Sequence, residues 1–236
     1  MAIAAVRKNA AQAHARATDS LGLVAKPPDI YLHPTVALLR EHSCASANAD
    51  AYYDGAIHVA ALPHETEENL ARKLTHEAVH HVLVANGIGK PIWFQEGAAM
   101  RVAGERPRDS RATWRKHPIP ISQMVTTFPT TALPESASHF YAQAWEMMEF
   151  LHRLTLGNPG GEAREVGELQ ELTHALKSGR TTPERLFEWA TYQRGSDLFR
   201  TSRLPLWDDY AEHGNFAPTT LDALLARPAL SATAKR

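Results

Sequence analysis

Hydrophobic positions along this chain switch between two periods, and the switches mark its elements. Residues near 3 to 20 read as a polar, Ala-rich helix that ends before "AKPPD", whose two prolines cannot continue it. Asp29 to His33, "DIYLH", is a short strand candidate. "PTVALLREH" follows as a helix, with Pro34 at its start. "ASANADAYYDG" is small, polar and turn-like. From Ala56 to Leu62, Ile57, Val59 and Ala61 alternate with His58 and Ala60, the period of a strand with one buried face.

The strongest helix follows. Thr66 is an N-cap candidate, and Glu67 and Glu68 place negative charge in the first turn, where the helix dipole favours it. Leu70, Leu74 and Leu83, with Val79 and Val82, repeat at helical spacing until Asn86 and Gly87 end the run. After a short loop, Pro91 opens a second helix, "PIWFQEGAAMRVAG". Residues 105 to 135 read as a long loop or lid-like excursion. Helical patterns return in "HFYAQAWEMMEFLHRL", "EVGELQELTHALKSG" and "TPERLFEWA", and the tail holds "LDALLA". The pattern predicts an α+β fold. Residues 1–90 form an N-terminal α/β subdomain with a small sheet, and 91–236 a helical C-terminal subdomain, together one catalytic unit.

Composition narrows the function classes. The chain has 236 residues, 44% hydrophobic and 22% charged, enough to bury a core. A net charge of −1 gives no basic stripe for nucleic acid. No apolar run reaches membrane-spanning length, and the opening "MAIAAVRKNAAQAHARA" lacks a signal-peptide apolar segment. The expectation is a soluble chain and a monomer, cytoplasmic, or exported if an N-terminal segment was trimmed. The single cysteine, Cys44, rules out an intrachain disulfide and a cysteine zinc cluster. A metal site in this chain therefore uses histidine and carboxylate.

His76, Glu77 and His80 spell H-E-x-x-H. On a helix, positions i and i+4 share a face, so both imidazoles reach one ion, while Glu77 can sit beside it as a base. A tetrahedral catalytic zinc needs a third protein ligand. Six residues separate His80 from the helix end, roughly 9 Å, and five separate Pro91 from Glu96, about 7.5 Å. An antiparallel hairpin therefore returns Glu96 to the height of His80. The ligand set is His76, His80 and Glu96 around one Zn2+, with Glu77 the base that takes a proton from activated water.

"LTHEAVHHVL" followed by "PIWFQEGAA" resembles the gluzincin branch of zinc metallopeptidases, and specifically the bacterial peptidase MA-like domains. "DGAIHVA" is similar to the edge strand that precedes the family's active-site helix. "YAQAWEMMEFL", "ALKSG" and "LPLWDDY" resemble later segments, so the likeness spans about residues 29 to 210. It implies a zincin-like fold and hydrolysis of peptide bonds in a peptide or protein substrate. It also implies His76, His80 and Glu96 as zinc ligands and Glu77 as general base. One departure stands out. Some gluzincins carry an acidic residue four positions after the glutamate ligand, to hold a zinc histidine. Here that position is Met100.

Tyr141 is the candidate donor to the oxyanion, with His139 second; the alternative, and the commoner role for such a residue, is a half-buried core aromatic with its hydroxyl at the surface. The strand carrying His58 either pairs with an extended substrate, as sheet edges do, or packs beneath the helix, and His58 itself reads as solvated. His81 lies about 100° round the helix from His80 and reads as a packing residue or as a partner standing behind a ligand. His64 reads as a loop residue, and nothing places His117. Trp93, Phe94, Trp145, Met147, Met148 and Phe150 read as core. No G-x-M-E-N signature is present to capture a free amino terminus, which favours endopeptidase or protein-processing action. The alternatives are a zincin-fold binding module without turnover and a metal-free helical interaction domain. Retention of Glu77 argues against the first of these.

Overall fold

The computed structural model describes residues 3–43, 45, 49–60, 62, 64–107, 119, 121–126, 134–156 and 162–182. Cys44, His117, the helical pattern "TPERLFEWA" beyond Thr182, and "LDALLA" lie outside them. The architecture is mixed α+β, a small three-stranded sheet among predominant helices. The elements run α1 (Ile3–Leu21), β1 (Ile30–His33), α2 (Val36–His42), β2 (Ala51–Tyr53), β3 (Ile57–Ala60), α3 (Glu67–Ala85), α4 (Ile92–Ala103), α5 (Ile121–Thr126), α6 (Pro134–Leu156) and α7 (Glu162–Lys177). Among the described residues no helix is long and apolar enough to cross a membrane.

The sheet order is β1-β3-β2, with β1 parallel and β2 antiparallel to β3. Tyr31 and Tyr52 both pair with His58 across it. A parallel pair requires a crossover, and α2 supplies the helical part of it while packing on β1 and β3. Gly55, at φ 116°, makes the turn between β2 and β3.

Two expectations change here. The turn-like stretch before Asp54 contains β2, a three-residue strand held by its pairing with β3. The strand carrying His58 is central rather than an edge, and all four of its residues are buried. Ile57 and Val59 join the main core, while α2 covers the opposite face, so the half-buried reading fails. His58 is therefore not solvated. Its Nε2–H donates to Asp54 (3.2 Å), and its Nδ1 accepts from His33 Nε2–H (3.0 Å).

α3 is the central helix. Thr66 caps it, its hydroxyl accepting from the Asn69 amide at 3.1 Å. α1 lays Val6, Ala13, Ala17 and Leu21, one helical face, into the same core. α4 is buried almost all round because α3 and α6 sandwich it. Trp93 and Phe94 anchor it and are fully buried, as the pattern predicts. Gly97 allows the closest approach. A Cβ there would lie 2.8 Å from the Ala144 carbonyl oxygen and 2.8 Å from Met148 Cβ on α6. Met147, Met148 and Leu151 complete the α6 contribution, while Trp145 is half-buried.

Within the span read as an open excursion the structure forms α5, whose Met124 is fully buried. α6 begins at Pro134, five residues before the predicted start at His139.

Candidate metal centre

α3 turns His76 and His80 to one side, their ring centroids 5.0 Å apart. α4 returns antiparallel after a loop around Gly87, at φ 79°, and carries Glu96 into the gap. Glu96 Oε2 lies 3.2 Å from His76 Nε2 and 3.6 Å from His80 Nε2. One ligand atom from each of the three residues lies within 4.8 Å of the others. Tetrahedral zinc, with bonds near 2.0–2.2 Å, places its ligand atoms roughly 3.3–3.6 Å apart, and the two Glu96 distances lie close to that range. The donor chemistry fits as well, since two neutral imidazoles and one carboxylate form a mixed N/O set for a divalent cation.

Hydrogen bonds fix which nitrogens face the gap. His80 Nδ1–H donates to Gln95 Oε1 at 3.4 Å, and the Gln95 amide donates to the Gly89 carbonyl in the loop between α3 and α4. His76 Nδ1–H donates to Glu105 Oε2 at 2.9 Å. Both Nε2 atoms are thereby left as the nitrogens that could coordinate a cation. Neither partner follows from H-E-x-x-H spacing. Met100, four positions after Glu96, is buried and lines the cleft.

The electrostatics follow from this crowding. Burial alone would raise the Glu96 carboxyl, but His80 and His76 outweigh it and hold the group well below the usual carboxylate range. Burial would lower His76, yet its hydrogen bonds to Glu105 and Glu96 raise it well above the ordinary value. His80 is also raised, burial being outweighed by the Glu96 charge. Glu77 is pushed up mainly by burial, with Glu96 and Glu105 adding and the two histidines opposing. A cation bound by these nitrogens must displace the protons they attract.

A cleft of about 440 Å³ opens beside these groups. His76, Glu77, Met100, Glu105 and Tyr141 line it, together with Asp50 and Ala51 at the start of β2. Tyr141 is half-buried; burial, and then the charges of Glu96 and Glu77, hold its phenol protonated well past the ordinary value. His139 is not among the lining residues.

Lys73, one turn before His76, is a further wall residue that motif reading does not single out. Its ammonium lies 2.6 Å from both Asp50 and Glu65. Burial disfavours its charge, but these two bonds outweigh that and raise it. His81 turns away from the centre. Its Nε2–H donates to the Lys26 carbonyl at 2.7 Å and its Nδ1 accepts from Tyr53, which makes it a packing residue. His64 sits exposed in a turn. Compared with models of known families, with curated proteins and with solved structures, the chain finds no match.

Proposed function

We propose that the chain is a zinc-dependent metallopeptidase of zincin-like fold, related to the gluzincin group, with His76, His80 and Glu96 as the ligands of a single zinc ion. The observation that carries this reading is a coincidence of place. Three metal-type donors converge within 4.8 Å, and Glu77 and Tyr141 border the same open cleft. A Zn2+ held there supplies Lewis acidity, lowering the pKa of water and polarising a carbonyl oxygen. Glu77 is suited to base work, because burial lifts its carboxyl toward the operating pH. It takes a proton from water and later returns it to the leaving amine. The Tyr141 phenol, kept protonated, donates to the oxygen on which negative charge develops. β2, rather than the strand of His58, is the strand against which an extended peptide would lie. Among the described residues it pairs on one side only, and its first residue lines the cleft.

The experiment is a Glu77→Gln exchange. The variant should keep one zinc per chain by elemental analysis and lose hydrolysis of unfolded casein and of a quenched-fluorescent peptide library. Hydrolysis at the wild-type rate in this variant would refute the proposed role of Glu77 as base.

A further inference from the structure

Resting on that reading, we infer that Glu105 is the positioning residue of the metal centre: it fixes the ring of His76 and sets how tightly the site holds its cation.

The inference starts from the end of α4. The helix stops at Gly104 with φ 72°, a left-handed conformation that residues with a Cβ adopt poorly. A Cβ there would meet nothing within 4 Å, so the glycine serves the backbone angle and not a lack of space. The amide of Glu105 then closes back on the Met100 carbonyl at 2.8 Å. This closure reverses the chain across the helix end and brings the Glu105 carboxylate 2.9 Å from His76 Nδ1, on the side of the ring away from Glu96. Met100 itself is apolar, so the helix offers no acid from that position.

Two consequences follow for His76. Its proton is held on Nδ1, which leaves the Nε2 lone pair toward Glu96 and His80. A carboxylate behind a ligand imidazole also makes the ring a stronger donor, and such partners commonly contribute 10- to 100-fold in metal affinity. Glu105 is 28% exposed in its side chain, and with Arg106 and Pro107 it belongs to the cleft rim. The group that orients the ligand is therefore also part of the wall that a substrate touches.

The test measures Zn2+ affinity by competition with a chromophoric chelator, at one pH, for wild type, Glu105→Ala, Glu105→Gln and the exposed control Glu68→Gln. Absorption spectra of the Co2+-loaded proteins accompany it. Glu105→Ala should bind Zn2+ about 10- to 100-fold more weakly and shift the Co2+ bands. Glu105→Gln keeps an acceptor for Nδ1–H, so it should lose less affinity than Glu105→Ala, and Glu68→Gln should lose none. Wild-type affinity and spectrum in Glu105→Ala overturn the proposal and leave the metal centre standing. If wild type itself binds no better than a His76→Ala/His80→Ala double variant, the metal centre and the proposal fall together. Should Glu105→Ala fail to fold, Glu105→Leu decides, because it removes the acceptor while keeping a side chain of similar size: an affinity loss at an unaltered metal-free melting temperature supports the role, and no loss overturns it.

Discussion

Gly97 lies between Glu96, the proposed ligand, and the packing of α6, and Gly97→Ala tests whether that packing holds the site. The added Cβ would stand 2.8 Å from a backbone oxygen, that of Ala144, and 2.8 Å from Met148 Cβ. Neither is the free end of a flexible side chain, so the helices themselves must part. Carbon atoms rest at about 3.5–4.0 Å, which implies a local separation of roughly 0.7–1.2 Å, enough to forfeit a quarter to a half of the dispersion between facing atoms. Overpacking of this kind costs about 1–3 kcal/mol, and alanine's better helix propensity returns about 1. The net loss is about 1 kcal/mol, or roughly 2–4 °C in melting temperature for a chain of this size. Activity should suffer more than stability. Tyr141 lies three residues before Ala144 on the displaced helix, and a misplacement near 1 Å can cost about 100-fold in rate. Thermal melts, zinc content and peptide hydrolysis on one preparation separate the effects, and Gly97→Val should be worse on all counts. A Gly97→Ala protein that melts no lower than wild type and hydrolyses at the same rate would refute the close helix contact as the support of the site.

Tyr141→Phe should lower kcat by about 10²- to 10³-fold with zinc content and KM little changed, the loss expected for one oxyanion donor. A wild-type kcat in this variant would reduce Tyr141 to packing. His33 is held below its ordinary value of 6.5, first by burial and then by the charges of His58 and His42. The fold thus favours its neutral form, and that stability is present above pH 6.5 and lost as pH falls through the depressed value. Melting temperature should drop on acidification below pH 6.5, and His33→Asn should flatten that limb; an unchanged slope would assign the acid sensitivity elsewhere.

Spacing made the central hairpin legible. Thr66, the leucine repeat and Gly87 bound one helix, Pro91 opens the next, and two rise lengths then bring Glu96 opposite His76 and His80. Where periodicity gave out, so did the reading. Ala51 to Tyr53 form a strand only because β3 templates them, and three residues carry no period of their own. His58 looked solvated because alternation reports one covered face, whereas α2, distant along the chain, covers the other. Glu105 escaped for a related reason. Its direction depends on a left-handed turn at Gly104, which no count of residues along a helix supplies. The available signal is local, an acidic residue directly after a glycine C-cap on the helix that carries Glu96.

Taken together, the contacts assign α3 and α4 unequal roles. α3 supplies both nitrogens, but the groups that aim them belong to α4 and its end: Gln95 holds His80, Glu105 holds His76, and Glu96 faces both. Each is fixed by a different neighbour. Gln95 is tied to the loop at Gly89, Glu105 to the turn at Gly104, and Glu96 is followed by the glycine against which α6 packs. The geometry of the centre is therefore a property of how α4 is seated. Trp93 and Phe94, fully buried at its start, seat one end, and the Arg101–Glu149 ion pair with α6 seats the other. Changes at these positions should weaken Zn2+ affinity in a chelator competition through the seating of α4, and an unchanged affinity would separate that seating from the centre.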